Sequence, residues 1–444
     1  MKTGTIFAPA TAVGRAGIAV IRVSGEAAAR ALVALCGKMP VARQVTRVSL
    51  TDPASGEGLD EGLAIWFPGP NSFTGEDVVE LHLHGGRSVV EGVMGALGDR
   101  EGCRLAEPGE FTRRAFENGK MDLTEAEGLA DLIDAETAAQ RRQALRQMGG
   151  ALGELYEGWR NRLIQILAYF EASIDFSEED IPDDLIEQTH RDSLVLLADV
   201  KKHLADGRRG ERLREGVHIA ILGAPNAGKS SLLNVLARRE AAIVSETAGT
   251  TRDVIEVQLD LEGYPVVIAD TAGIRETHDA LEQEGVRRAL DRAAGADLKV
   301  VLLDGERPDA EIVGLVDEGA LPVLNKIDLR PMSAGLSVNG IGVMGVSAKS
   351  GEGIERLLTR LGAEVRARFA VTSTALLTRA RHREALEACV EALMRAWPGG
   401  GLSREPELIA EDLRLAGQAL GRITGRVGVE DLLDKIFSDF CIGK

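Results

Sequence analysis

The hydrophobic pattern of this chain changes period along its length. Residues 78–84 (Val-Val-Glu-Leu-His-Leu-His) alternate after the first position, which puts Val79, Leu81 and Leu83 on one face of a strand and Glu80, His82 and His84 on the other. Residues 17–23 and 64–67 are further strand-like runs, the second stopped by Pro68, and residues 26–35 are Ala-rich and helical. Residues 1–118 therefore read as α+β. From Leu123 to about Arg214 the spacing turns helical. Leu155, Trp159, Leu163, Ile166 and Phe170 lie near one stripe of a helix that Gly149-Gly150 could interrupt. An acidic connection at 177–184 reads as solvated, and helical spacing resumes at 185–204. It returns at 376–396, which ends in Trp397-Pro398-Gly399-Gly400-Gly401, and again at 406–420 and 429–437. Neither helical flank is comfortably large for a core of its own. The simplest arrangement packs the two flanks together, with the part between them inserted.

That middle part carries the chemistry. The apolar run 217–222 leads into Gly223-Ala224-Pro225-Asn226-Ala227-Gly228-Lys229-Ser230, and Ser231 continues into a helical run. Glycines let the backbone turn so that successive N–H groups point at phosphate oxygens, and the helix N-terminus adds partial positive charge. Lys229 suits the β- and γ-phosphates, and Ser230 offers a hydroxyl to magnesium. Asp270-Thr271-Ala272-Gly273 follows the strand-like run 266–269, Asn325-Lys326-Ile327-Asp328 follows a second strand at 321–324, and Ser347-Ala348-Lys349 follows a third at 342–346. Asp270 can hold magnesium through water. Asp328, an acceptor-only carboxylate, suits the paired ring N–H and amino donors of guanine. Gly249-Thr250-Thr251 offers Thr251 as a second magnesium hydroxyl. Together these motifs predict a GTP-binding domain. Ile274 stands where Ras-like proteins carry a water-orienting Gln. An apolar side chain cannot align water, so other charge must act. The Asn226 side chain and the carbonyls of the 245–250 loop suit a potassium ion against the phosphates.

Composition narrows the class. At 444 residues the chain has room for about three domains. Hydrophobic residues make up 44% and charged residues 27%, and no apolar run approaches a membrane span, so an ordinary globular protein is expected. The start of the chain lacks the apolar stretch of a secretory signal. Cys36, Cys103, Cys389 and Cys441 are scattered with no C-x-x-C pair, which argues against zinc and suits a reducing cytoplasm. The formal net charge of −17 repels nucleic acid at long range, so RNA contact would need a local basic face or a basic partner.

Four features have two readings each. Arg22, inside an apolar strand, is either a surface-pointing residue or a contact for an anion or polar ring. The His82-x-His84 pair is a polar wall or a metal fragment without an evident third ligand. The basic cluster 208–214 reads as a solvated linker, with phosphate contact as the alternative. Cys441, near the end of the chain, is an incidental thiol on a frayed tail or a used cysteine.

Several stretches together resemble the MnmE (TrmE) family of bacterial tRNA-modification GTPases: Gly-x-Pro-Asn-Ala-Gly-Lys-Ser, Ala-Gly-Thr-Thr-Arg-Asp, Gly-Lys-Met-Asp-Leu at 119–123, Glu-Leu-His-x-His-Gly-Gly at 80–86 and the terminal Cys-x-Gly-Lys. The resemblance spans the full length. It implies a folate-binding and dimerisation domain at 1–118, a helical domain made of 119–215 and 372–444, and an inserted Ras-like α/β GTPase domain at 216–371. It further implies a homodimer and a flavoprotein partner, MnmG, forming a heterotetramer. The implied reaction is modification of carbon 5 of the tRNA wobble uridine with a tetrahydrofolate one-carbon unit, with tRNA held largely by the partner. The implied GTP residues are Asn226, Ala227, Gly228, Lys229, Ser230, Ser231, Ser245, Glu246, Thr247, Ala248, Gly249, Thr250, Thr251, Asp270, Thr271, Ala272, Gly273, Asn325, Lys326, Asp328, Ser347, Ala348 and Lys349. Magnesium falls to Ser230 and Thr251, potassium to Asn226, Ser245, Thr247 and Thr250, and folate to Arg22, Glu80, Lys120 and Lys444. Glu282 is the implied water-orienting group, and Cys441 a candidate catalytic thiol. The alternative expectation is a regulatory GTPase in ribosome assembly. A folate-storage protein would leave the GTP motifs unexplained.

Overall fold

The computed structural model describes residues 4–12, 14–175, 185–239, 242, 256–270, 295–305, 310–370, 375–398, 405–428, 430–438 and 440–443. The chain divides into two compact units. Met1–Ala130, Met148–Glu171 and Glu407–Lys444 form the first, and Asp131–Gln147 and Ala172–Pro406 the second.

In the first unit six strands form one sheet: β1 (Thr5–Pro9), β2 (Ala16–Ser24), β3 (Thr46–Thr51), β4 (Gly58–Phe67), β5 (Val78–Gly85) and β6 (Cys103–Leu105). Their order is β3-β4-β5-β2-β1-β6. The period-two pattern explains its two faces. Ile21, Val23, Val79, Leu81 and Leu83 are buried with Leu32 and Leu35 of the helix Ala28–Cys36 and Val93 and Leu97 of the helix Arg87–Gly98. Arg22, Glu80 and His82 are carried to the opposite face. There His84 Nδ1 lies 2.8 Å from Asp60, so a carboxylate occupies that ring, while His82 Nε2 stays 3.5 Å from Glu80 and makes no hydrogen bond to it.

Helices then extend this unit. Leu123 and Ala126 pack with Leu433 and Phe437 of the helix Glu430–Ser438 and with Phe440. Gly109 is required at this seam. Its φ is +67°, and a Cβ there would lie 2.4 Å from the Phe437 carbonyl oxygen. The end of the chain is not frayed as far as it is described: Phe440 is buried, and Gly443 sits so close to Pro9 that a Cβ would fall 2.0 Å from its carbonyl.

The second unit holds another six-stranded sheet. Its members are β7 (Val217–Gly223), β8 (Glu256–Leu261), β9 (Tyr264–Asp270), β10 (Leu298–Asp304), β11 (Ala320–Asn325) and β14 (Met344–Gly345), in the order β14-β11-β10-β7-β9-β8. All pairs are parallel except β8 with β9. The continuous apolar runs have a simple cause: both faces are covered. Ile219 and Ile221 of β7 pack with Leu232, Leu236, Leu357 and Leu361 on one side, while Ala220 and Leu222 pack with Val301, Leu303 and Val316 on the other. The strand expected over 342–346 is split. Ile341–Gly342 (β13) pairs with Ser337–Val338 (β12), and only Met344–Gly345 joins β11, because the Val343 N–H is drawn to Leu336 O.

The basic cluster 208–214 corrects a sequence expectation. It is not a solvated linker but a charge-paired helix, Arg209–Glu215, joined to β7 through Gly216. Arg212 Nε lies 2.8 Å from Asp297, Arg214 Nε 2.9 Å from Asp131, and buried Glu211 accepts from Arg383 at 3.0 Å. These partners come from distant stretches, which a local count of charge does not include. Among the described residues no helix is long and apolar enough to cross a membrane.

One ion network in the first unit makes stability depend on pH. Glu110 accepts from Arg104 at 2.8 Å, from the Glu107 N–H at 2.9 Å and from Arg114 at 3.0 Å, and Arg114 also holds Glu76. Burial opposes the charged form of Glu110, but the hydrogen bonds from Arg104, Glu107 N–H and Arg114 outweigh it and hold the carboxyl below its usual range. A depressed folded pKa contributes stability above the unfolded value, near 4.3, that is lost as pH falls through the folded value. Glu110→Gln is therefore expected to lower unfolding free energy by roughly 1.5 to 3 kcal/mol at neutral pH. The deficit should shrink as pH falls below about 4. Urea titrations at pH 7 and pH 3.5 check both statements.

Candidate functional site

The carboxyl end of β7 is where a ligand cleft is expected, since β7 lies between β9 and β10 and connections leave it in both directions. The loop after β7 turns through two left-handed residues. Asn226 has φ +66° and Gly228 φ +94°. Gly228 then caps the helix Lys229–Ala237, whose first N–H groups face the loop. No other residue fits at Gly228, because a Cβ would lie 2.3 Å from Asn325 Nδ2. Lys229 is 8% exposed, and its Nζ donates to the carbonyls of Gly223 and Ala224 at 2.9 and 3.0 Å. The ammonium is thus fixed across the loop it follows. Ser230 and Ser231 lie on the exposed side of the same first turn.

A second group of residues closes on this loop. Asn325, 2% exposed at the end of β11, donates from Nδ2 to Ala227 O at 2.8 Å and accepts from Ala348 N–H at 3.1 Å. Asp328 Oδ1 accepts from Ser347 Oγ at 2.6 Å, which orients the exposed carboxylate, and Ser347 Oγ also accepts from Ser350 N–H. Lys326, at φ +64°, reaches back to Asp304 at 2.8 Å. Lys349 is exposed beside them. Three separate motifs therefore meet through side-chain hydrogen bonds. The sequence did not point to Asp304 or to the two loop carbonyls that receive Lys229. Of Asp270 only the backbone is described; it ends β9, paired with Ile221 of β7. Ser245, Glu246, Thr247, Ala248, Gly249, Thr250, Thr251, Thr271, Ala272, Gly273, Glu282 and Lys444 lie outside the described residues.

In the first unit, Arg22 and Glu80 are register partners on β2 and β5. Arg22 Nη2 donates to Glu80 Oε1 at 2.9 Å, with both side chains about one-fifth exposed. The guanidinium also lies over two rings, 5.3 Å from the centroid of Phe73 and 5.9 Å from that of Phe111. Arg22 is thus ion-paired and ring-packed rather than pointing freely into bulk water. Phe73 was not singled out from sequence. It sits in a non-periodic stretch, and an aromatic amid Gly, Pro and Ser is the only signal it offers. Lys120 Nζ donates to Pro70 O at 3.0 Å, and Asn118 Nδ2 to Thr74 O at 2.7 Å, so both hold the loop that carries Phe73. Cys441 is exposed, and its carbonyl faces the Gly109 N–H at 3.5 Å.

Known proteins are similar to this chain over nearly its whole length. The family described as MnmE helical domain matches residues 123–441, and the one described as GTP-binding protein TrmE N-terminus matches residues 5–120. A protein of Paramagnetospirillum magneticum named tRNA modification GTPase MnmE is 58% identical, covering 99% of each chain. One of the same name from Parvibaculum lavamentivorans is 58% identical over 99% of this chain and all of its own. Another, from Rhodospirillum rubrum, is 54% identical over the full length of both.

The carboxamide of Asn325 has a testable signature. Asn325→Ala leaves a carbonyl and an N–H buried without partners, at about 1 to 3 kcal/mol each. Asn325→Asp keeps the acceptor for Ala348 N–H and sets a carboxylate against Ala227 O. By hydrogen exchange, the Ala348 amide is expected to exchange at least about tenfold faster in Asn325→Ala and to stay protected in Asn325→Asp, while both variants lose protection in the Gly228–Lys229 turn.

Proposed function

The chain belongs to the MnmE family of tRNA modification GTPases, and from that membership we propose that it hydrolyses GTP and acts in the modification of tRNA. The observation that carries this reading is the carboxamide of Asn325, which joins the phosphate loop to the Ser347–Lys349 loop. One end of this site offers N–H groups and an ammonium to phosphates, and the other offers an oriented carboxylate, Asp328, to a base with adjacent donors. Guanine has that pattern and adenine lacks it.

Within this reading Lys229 neutralises β- and γ-phosphate charge, and the N–H groups of 226–231 cradle the phosphate oxygens. Ser230 with Thr251 would hold magnesium, and Asn226 with Ser245, Thr247 and Thr250 would hold potassium. The donor set suits hard cations, since it consists of hydroxyl, amide and carbonyl oxygens. Bound there, the cations supply charge to the transition state in place of an arginine finger. Glu282 orients the attacking water, because Ile274 cannot. The remaining residues of the site, from Glu246 to Gly249 and from Asp270 to Gly273, follow the nucleotide.

In the first unit we assign Arg22, Glu80, Lys120 and Lys444 to a tetrahydrofolate derivative. The guanidinium–carboxylate pair beside Phe73 offers charge and an aromatic edge to a polar flat ring, and Glu80 is an acceptor for adjacent ring donors. The seat of Gly443 at Pro9 supports a role for the tail here, because the neighbouring Ala8 pairs with Arg22 in the sheet. The sheet face opposite the helices exposes Ile18 (63%) and Leu63 (42%), which suits a homodimer contact. We further propose MnmG as the flavoprotein partner in a heterotetramer, carbon 5 of the wobble uridine as the site modified, and the cytoplasm as the location.

Two outcomes are expected. GTP turnover should be at least about tenfold faster in potassium than in sodium at matched ionic strength; equal rates would remove potassium from the account. Cys441→Ser should keep its fold and GTP hydrolysis and lose modification, read by mass spectrometry of tRNA nucleosides from a complemented deletion strain. Normal wobble uridine in that strain would make the tail structural.

A further inference from the structure

The second unit contains a cavity of about 140 Å³ beside the helix Arg209–Glu215, lined by Asp131, Asp134, Gln143, Ala144, Arg214 and Glu215. Its most telling member is Gln143, which is only 9% exposed. The Gln143 Nε2 donates to the Gly210 carbonyl at 3.0 Å. That bond decides the orientation of the amide, because the reverse would set two carbonyl oxygens against each other. At the other end Oε1 is buried and has no hydrogen-bond partner. Gln140, on the same wall, is fully used: it accepts from Thr137 N–H at 3.0 Å and donates to Arg214 O at 3.1 Å. A buried acceptor left unpaired is unusual in a folded protein and calls for a donor.

Charge gives the donor its sign. Asp131 Oδ1 takes both Arg214, at 2.9 Å, and Arg379, at 2.7 Å. Arg214 reaches Glu215 only at 3.5 Å. The carboxylates of Asp131, Asp134 and Glu215 against these two guanidinium groups leave one net negative charge, and Asp134 and Glu215 are the exposed members. An anion would be repelled. A bare metal ion fits poorly: among the described residues no group of three or more His, Cys, Asp or Glu is placed to ligate one. The cavity is smaller than those that hold drug-sized molecules, which run from about 300 Å³.

The geometry points to a binding site for a short alkyldiamine. One ammonium donates to Gln143 Oε1, the methylenes lie against Ala144, and the second ammonium meets Asp134 and Glu215. The ligand bridges the helix Ala138–Met148 to the helix that leads into the phosphate-loop strand. This proposal is independent of the folate and tRNA assignments above.

Calorimetric titration of the full-length protein with putrescine tests it, alongside thermal unfolding, with butane-1,4-diol and potassium chloride at matched ionic strength as controls. Putrescine is expected to bind one per chain and raise the unfolding temperature, and the controls to do neither. The double substitution Asp134→Asn with Glu215→Gln, both at exposed positions, is expected to weaken binding about three- to tenfold, and Gln143→Leu to abolish it. Because Gln143→Leu also removes the bond to Gly210, the exposed double variant decides the matter if Gln143→Leu fails to fold. No binding to the unsubstituted protein, an equal response to potassium, or unchanged affinity in the double variant would each overturn the proposal.

Discussion

The nucleotide end of the second unit depends on one buried carboxamide. Asn325 binds the carbonyl of Ala227 and the N–H of Ala348, two loops that have no direct backbone bond between them among those described. A carboxamide has a donor end and an acceptor end set apart on one rigid plane, and burial at 2% exposure keeps water from competing. The close packing has a local cost. Gly228 has no room for a Cβ, and Asn226 and Lys326 occupy left-handed backbone that side chains seldom adopt. A tightly turned loop of this kind aims consecutive N–H groups at one point.

Ion pairs organise the approach to that loop. The helix Arg209–Glu215 is held by Asp297, Asp131 and Arg383 and then enters β7 directly. Arg212 meets Asp297, whose carboxylate also accepts the His218 N–H at 2.9 Å at the start of β7. Since exposed pairs are worth at most about 1 kcal/mol each, the half-buried placing of these matters more than their number. In the first unit the same logic orders the sheet's polar face. Glu80 is paired with Arg22, and Arg114 joins Glu76 to Glu110.

Much of this was legible in the sequence because the relevant physics is local. Alternation at 78–84 determined which face of β5 is polar, since a strand's side-chain period is two wherever the strand sits. The apolar runs before Gly223, Asp270 and Asn325 marked strands buried on both faces. The order of the motifs identified the nucleotide domain, and full-length resemblance identified the family. Gly149-Gly150 separated two helices, Ala138–Met148 and Ala151–Asp175. The alternation, the apolar runs and the glycine pair are each complete within about ten residues.

What only the tertiary structure decided involves partners far apart in the chain. The basic stretch 208–214 looked solvated because Asp131, Asp297 and Arg383 are about 80 to 170 residues away. Phe73 over Arg22, Asp304 against Lys326 and the unpaired oxygen of Gln143 have no periodic or compositional signature at all. The split of the expected strand over 342–346 depended on a competing acceptor, Leu336 O, that the apolar pattern does not encode. Hydrophobic periodicity determines which way a side chain faces. Which charge or ring it meets there follows from packing, because electrostatic and hydrogen-bond partners are selected by distance in space and not by distance along the chain.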